Sequence, residues 1–225
     1  MAGKGSADHS QVARWWAVSH PPPLVLASRS PSRLRLLRAA GIEPEVEVSG
    51  VPEDDVDPAV PQVLVATLAR RKARAVARRR VAGLILGCDS ALELDGMSHG
   101  KPATATQAAE RWRRMNGAEA VLHTGHCLID VATQQTVEAV ASTIVRFARI
   151  SDADIDAYVG SGEPLAVAGA FTLDGLSAPF IEGVDGDPSN VIGLSLPVLR
   201  TLLAELGVAI TSLWNRVPVD TGSHR

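Results

Sequence analysis

The chain has 225 residues, 46% of them hydrophobic, with 22 basic and 25 acidic side chains and a net charge of −3. That apolar fraction supports a real core, in one large domain or two lobes around one cleft, and excludes disorder for most of the length. The slight acidity argues against a constitutive nucleic-acid binder, whereas a small anionic ligand needs only local cations.

The two cysteines, Cys88 and Cys127, lie in apolar runs and read as reduced core residues of a cytosolic protein that offers no thiolate metal cluster. With no secretory signal and no apolar run of spanning length, the expectation is a soluble, cytoplasmic protein outside the membrane. Residues 1–22 mix Gly, Ser and charges with Trp15 and Trp16 and run into the prolines at 21, 22 and 23. They read as a flexible extension closed by a stiff break. A single folded body over 23–212 and a loose tail over 213–225 are expected.

The body opens on an apolar strand from Leu24, a hydroxyl-rich turn and an amphipathic helix. Ser30 suits the N-cap and Pro31 the first helical position, so the free amides of the first turn face the preceding turn. With Ser28, Ser30 and Arg33 beside them, those amides form a place where a phosphate fits. The helix should stop at Gly41, and an extended piece around Val46 to Val48 leads to the acidic turn Pro52, Glu53, Asp54 and Asp55.

Val60 to Val81 predicts a helix with seven basic residues between Arg70 and Arg80. At 100° per residue from Leu64, Leu68 falls near 40°, Lys72 near 80° and Val76 near 120°, which places Lys72 inside the apolar arc. Arg70, Arg71, Arg74 and Arg78 occupy the solvated side. A buried lysine needs an anion, either a protein carboxylate or a ligand phosphate.

An apolar strand from Gly83 to Cys88 reaches Asp89, an acid at the carboxyl end of a strand, where α/β sheets hold ligands. A strand from Ala91 to Leu94 follows, and the turn at Asp95 and Gly96 predicts a hairpin that returns Lys101, between Gly100 and Pro102, to the same end of the sheet. The chain contains no Walker motif, which excludes a P-loop NTPase.

A helix over Thr106 to Met115 should bury Ala108, Trp112 and Met115. Val121 to Val131 and Val137 to Ile150 read as strands, the second with Ala141, Thr143, Val145 and Phe147 on one face. Ser151 should cap a short helix to Tyr158, and a last helix from Leu196 should end at Gly207. His123 and His126, three apart in a strand, point to opposite faces and read as structural. Helices alternating with strands, some adjacent and antiparallel, predict an α/β fold with a mixed, elongated sheet.

Acids at Glu53 and Asp89, cations at Arg33, Lys72 and Lys101, and a helix N-terminus at Ser30 make a metal-plus-triphosphate inventory. From Leu24 to Gly207 the chain resembles the Maf proteins. The family pattern L-A-S-x-S-P-R-R-x-x-L-L starts at Leu24, with Ser32 in place of the first arginine, and A-D-T appears as Cys88, Asp89 and Ser90. Lys72 matches the helix lysine, Gly100-Lys101-Pro102 the G-K-P, and Met115-Asn116-Gly117 the M-S-G, with His123-Thr124-Gly125 a looser match. Gly162-Glu163-Pro164, Ala168-Gly169-Ala170-Phe171 and Asn190-Val191-Ile192-Gly193-Leu194 follow in order, and Ser195 departs from the pattern.

The resemblance implies a two-lobed fold related to the inosine triphosphate pyrophosphatases. It also implies cleavage of a nucleoside triphosphate between its α and β phosphates. Glu53 and Asp89 would hold a divalent cation, Mg²⁺ or Mn²⁺, and Asp89, Lys72 and Lys101 would be catalytic. Ser28, Ser30, Arg33, Ser90 and Asp174 would bind substrate. Relatives acting on dTTP and UTP carry glutamine at the place of Asp174, and those acting on 7-methyl-GTP carry glutamate. Because a carboxylate only accepts hydrogen bonds, Asp174 points toward the two donors on a guanine edge. The resemblance also leaves room for a homodimer, for dTTP and UTP as substrates, and for a non-catalytic nucleotide-binding regulator linked to septum formation.

Overall fold

A computed structural model describes residues 22–53 and 60–215. The extension up to residue 21, Asp54 and Asp55 of the acidic turn, and the tail from residue 216 lie outside the described residues. The strands are β1 (Leu24–Leu26), β2 (Glu45–Val46), β3 (Leu84–Leu94), β4 (Met97–His99), β5 (Glu119–Asp130), β6 (Thr136–Phe147) and β7 (Ile181–Asp185). The helices are α1 (Pro31–Ala39), α2 (Pro61–Ala77), α3 (Ala105–Met115), α4 (Asp152–Gly160), α5 (Pro188–Ile192) and α6 (Leu196–Glu205).

The sheet runs β2-β1-β3-β5-β6-β7, with β4 paired to β3, and it is mixed as expected: β1 is parallel to its neighbours and β3 to β7 are antiparallel. Alternation along β3 decides which helix packs where. Leu84, Leu86 and Cys88 face α1 and α6 through Leu37, Leu199 and Leu203, whereas Ile85 faces α2 through Ala69, Ala73 and Val76. The far halves of β3, β5 and β6 build a second lobe, where Leu92, Leu122, Val145 and Phe147 pack on Trp112, Ile155, Tyr158 and Phe171. Trp112 sits edge-on to Phe147, Tyr158 and Phe180, and its indole N–H donates to Ala170 O at 2.8 Å.

Two glycines let α2 lie almost on the sheet. A Cβ on Gly125 would sit 2.2 Å from Val65 O, and one on Gly87 would sit 2.2 Å from Ala69 O. Any side chain at either position would lift the helix. Both glycines lie close to Asp89, since Gly125 is its register partner on β5 and Gly87 is two residues earlier on the same face.

The caps follow expectation: Ser30 accepts from Arg33 N, and Ser151 and Asp154 form a capping box. Three boundaries differ. The basic helix ends at Ala77 rather than near Val81, because Arg79 N and Arg80 N turn to Val76 O and Ala77 O in a tighter terminal turn. The edge strand after Gly41 covers only Glu45–Val46. The expected strand end at Asp89 is corrected: β3 runs unbroken through Asp89 to Leu94, because β5 pairs with it over the whole stretch. What ends near Asp89 is β1, whose last register pair is Leu26 with Leu86. No described helix is long and apolar enough to cross a membrane.

Candidate active site in a gap at the edge of the sheet

One edge of β3 pairs with β1 over Leu84 to Leu86 and with β4 over Leu92 to Leu94. Between them, residues 87–91 have no ladder partner on that edge among the described residues, and Asp89 is at the middle. The gap opens to both faces of the sheet, so side chains from α2 and from α1 reach the same stretch of β3.

On the α2 face, Lys72 Nζ donates to Asp89 Oδ1 at 2.5 Å and pairs with Glu53 Oε1 at 2.6 Å. Lys72 and Asp89 are no more than 8% exposed, so the buried lysine has found protein carboxylates. The two acids are pushed apart. Burial raises the Asp89 carboxyl above its ordinary value, with Lys72 and Arg33 only partly offsetting it. Burial would raise Glu53 too, but there the Lys72 ammonium, with Lys101 and Arg33 behind it, prevails and lowers it. Carboxyls separated in this way divide into a proton acceptor and a group that stays ionised.

On the other face the first turn of α1 presents Arg33, buried like Lys72. Its Nε donates to Gly193 O at 2.6 Å, Nη1 to Ser28 Oγ at 3.2 Å and Nη2 to Ser90 Oγ at 2.9 Å. All three acceptors are neutral. A guanidinium carries five N–H donors, so at least two remain for an anion. Ser28 Oγ also accepts from Ser30 N at 3.1 Å, and Ser90 Oγ meets Thr124 Oγ1 at 2.9 Å. Ser28, Ser30, Arg33 and Ser90 thus form one cluster, and Glu53, Lys72 and Asp89 another, on opposite sides of β3.

Lys101 follows β4, exposed and near enough to Glu53 to help lower its pKa. Its backbone is fixed just upstream, where Gly100 O accepts from Gly169 N at 3.1 Å and from Arg111 Nη1 at 2.6 Å. Asp174 joins neither cluster. Its Oδ2 accepts from Arg35 Nη2 at 2.9 Å and its Oδ1 from Thr172 Oγ1 at 2.5 Å. Burial would raise its carboxyl, but these two donors lower it. The segment carrying Asp174 starts beside Gly100 and reaches Arg35, so it borders the gap from the Lys101 side to α1.

The histidines point to opposite faces, as the spacing predicts. His123 meets Glu93, Gln62 and Ser142. His126 Nε2 accepts from Ser195 N at 2.9 Å, and burial, with Arg33 nearby, lowers its pKa to about 4. Sequence reasoning missed Gly193 as an anchor for Arg33 and Arg35 as the partner of Asp174. A backbone carbonyl leaves no residue signature, and an exposed helix arginine looks like any solvated one. Thr124 meets Ser90 because the register of β3 and β5 sets the two residues opposite each other, a pairing that no local pattern reveals.

Among the described residues no three His, Cys, Asp or Glu side chains gather as a metal cluster. The donor set still fits a hard divalent ion, because two carboxylates already close on one cation, the Lys72 ammonium. Magnesium commonly takes one or two carboxylates and completes its shell with water and substrate phosphates.

The family model for Maf-like proteins matches residues 23–206. A Streptomyces avermitilis protein is 58% identical over 193 residues, covering 85% of this chain and 94% of its own. A Streptomyces coelicolor protein is 59% identical over 193 residues with the same coverages, and one from Salinispora tropica is 56% identical over 203 residues, covering 88% and 90%. Each of these relatives is named nucleoside triphosphate pyrophosphatase. With the match spanning both lobes and the gap between them, the chain belongs to the Maf-like protein family.

Proposed function

We propose that this protein is a nucleoside triphosphate pyrophosphatase that cleaves between the α and β phosphates. The observation that carries the reading is the buried, unneutralised guanidinium of Arg33 facing a gap whose other side holds a buried Lys72 between two carboxylates. An arginine so placed, with only neutral hydrogen-bond partners among the described residues, is costly unless an anion completes it. A triphosphate lying along the open edge of β3 meets Arg33 and the amides after Ser30 from one face, and Lys72 and Lys101 from the other. As charge develops on the phosphates these cations stabilise it without reorganising.

Asp89, whose burial makes it the better base, takes a proton from the attacking water. The water oxygen bonds to the α phosphorus, the bond from that phosphorus to the α–β bridging oxygen breaks, and pyrophosphate leaves. Glu53 stays ionised. Glu53 and Asp89 would hold Mg²⁺ or Mn²⁺, which supplies further neutralisation of the phosphates and lowers the pKa of water. Asp174, an acceptor only, suits a base edge with two donors, which favours guanine and 7-methyl-GTP-like substrates; the pairing with Arg35 leaves it ionised for that role. A panel of dTTP, UTP, CTP, GTP and 7-methyl-GTP, assayed for pyrophosphate with wild type and Asp174→Gln, tests both levels. The proposal expects the guanine nucleotides to lead and Asp174→Gln to shift preference toward the pyrimidines. Binding without pyrophosphate release from any nucleotide would overturn the activity, and an unchanged preference would overturn the role of Asp174.

A further inference from the structure

The guanidinium of Arg33 has three anchors among the described residues, and one of them is a backbone carbonyl on the turn between α5 and α6. That turn is intimate with the guanidinium: a Cβ on Gly193 would lie 3.4 Å from Arg33 Nε and 3.6 Å from Ser90 Oγ. Of the four amides from 193 to 196, three close locally onto α5. Gly193 N donates to Asn190 O at 2.9 Å, Leu194 N to Ser189 O at 3.3 Å, and Leu196 N to Ser189 Oγ at 2.9 Å. The fourth leaves the helix pair and reaches the sheet, where Ser195 N donates to His126 Nε2 on β5.

Because Ser195 N can only donate, Nε2 must carry the lone pair and the ring proton sits on Nδ1. Among the described residues Nδ1 has no hydrogen-bond partner. The one well-formed hydrogen bond of this buried imidazole goes to the turn, while the backbones of Thr124 and Ala139 also act on the ring. His126 pairs in register with Cys88, two residues before Ser90. The strand that presents Ser90 to Arg33 is thus paired with the strand that holds Ser195 N.

We propose that His126 is a positioning residue for Arg33: by holding Ser195 N it fixes the Gly193 carbonyl that aims the guanidinium at the substrate phosphates. The inference rests on the reading of Arg33 as a phosphate ligand. Its discriminating feature is reach. Glutamine can place an acceptor oxygen where Nε2 stands, whereas asparagine, equally polar and equally buried, falls short of Ser195.

The test is a double-substitution cycle on the full-length protein, reading kcat/KM for pyrophosphate release. His126→Asn should lower kcat/KM about tenfold, and His126→Gln should recover it to within about threefold of wild type. In an Arg33→Lys background the same His126→Asn change should cost less than about twofold, because the fork it aims is gone. Equal losses in both backgrounds, or no difference between Asn and Gln, would overturn the positioning role while leaving Arg33 as a phosphate ligand. Arg33→Lys with wild-type kcat/KM would overturn the phosphate reading and the inference with it. If His126→Asn does not fold, Gly193→Ala disturbs the same turn from the Arg33 side and must show the same loss of effect in the Arg33→Lys background.

Discussion

The close seating of α2 on the sheet ties fold to chemistry, and Gly125→Ala tests that tie. The added Cβ would lie 2.2 Å from Val65 O, 2.4 Å from Val65 C and 2.7 Å from Ala66 N, all backbone atoms that cannot swing aside. To restore an ordinary contact the helix must recede by about 1 Å, and a displacement of that size at a catalytic group costs roughly 10- to 100-fold in rate. Lys72 rides on that helix two turns further on, so its contacts to Asp89 at 2.5 Å and Glu53 at 2.6 Å stretch together. Overpacking of this kind also costs about 1–3 kcal/mol of stability. Denaturant unfolding and pyrophosphate release should therefore fall together. Gly160→Ala is the control, since its Cβ would meet nothing within 4 Å and should leave both measurements unchanged. A Gly125→Ala protein with wild-type stability and turnover would refute the claim that helix seating sets the geometry of Lys72.

Lys72→Met strands the buried Asp89 carboxylate beside Glu53 and should cost about 3 kcal/mol of unfolding free energy near neutral pH, with pyrophosphate release lost. Because the Asp89 carboxyl is already raised by burial, acidification should shrink that stability deficit; a deficit independent of pH would contradict the pairing. His126 gives a second pH signature. Its native pKa of about 4 lies below the ordinary 6.5, so the folded protein binds fewer protons there and the contribution is present above about pH 6.5. It is lost progressively as pH falls toward about 4, and wild type should lose up to about 3 kcal/mol more than His126→Gln over that window. Burial causes most of the depression and Arg33 deepens it, while the Thr124 and Ala139 backbones and Asp187 oppose it; parallel pH curves for the two proteins would rule out a neutral buried imidazole. Chelation should abolish activity, Mg²⁺ or Mn²⁺ should restore it, and Glu53→Gln should raise the metal concentration required; full turnover in chelator would refute the metal assignment.

Much of this site is legible in the sequence because its residues break local rules. Lys72 sits within an apolar stripe, Asp89 interrupts an apolar run, and Ser30 with Pro31 spells a helix start. The reading of Asp89 as a strand end failed for a physical reason: periodicity shows where a run changes character, not whether a neighbouring strand continues to support it. Gly87 and Gly125 were equally hidden. Their importance depends on which face of β3 and β5 the helix crosses, and that emerges only from the register. The Gly193 carbonyl is 160 residues from Arg33 and Asp174 is 139 from Arg35, separations at which no local pattern carries information. Ser90 entered through the resemblance to the Maf proteins; its position between Arg33 and Thr124 supplies the physical reason.

The central claim is tested most directly by identifying the products from one nucleoside triphosphate, with phosphorus NMR and chromatography on the wild-type protein and on Asp89→Asn. The account predicts a nucleoside monophosphate and pyrophosphate in equal amounts from wild type, and neither from Asp89→Asn, which keeps its fold by circular dichroism. Release of a nucleoside diphosphate with inorganic phosphate, or undiminished pyrophosphate from Asp89→Asn, would contradict it.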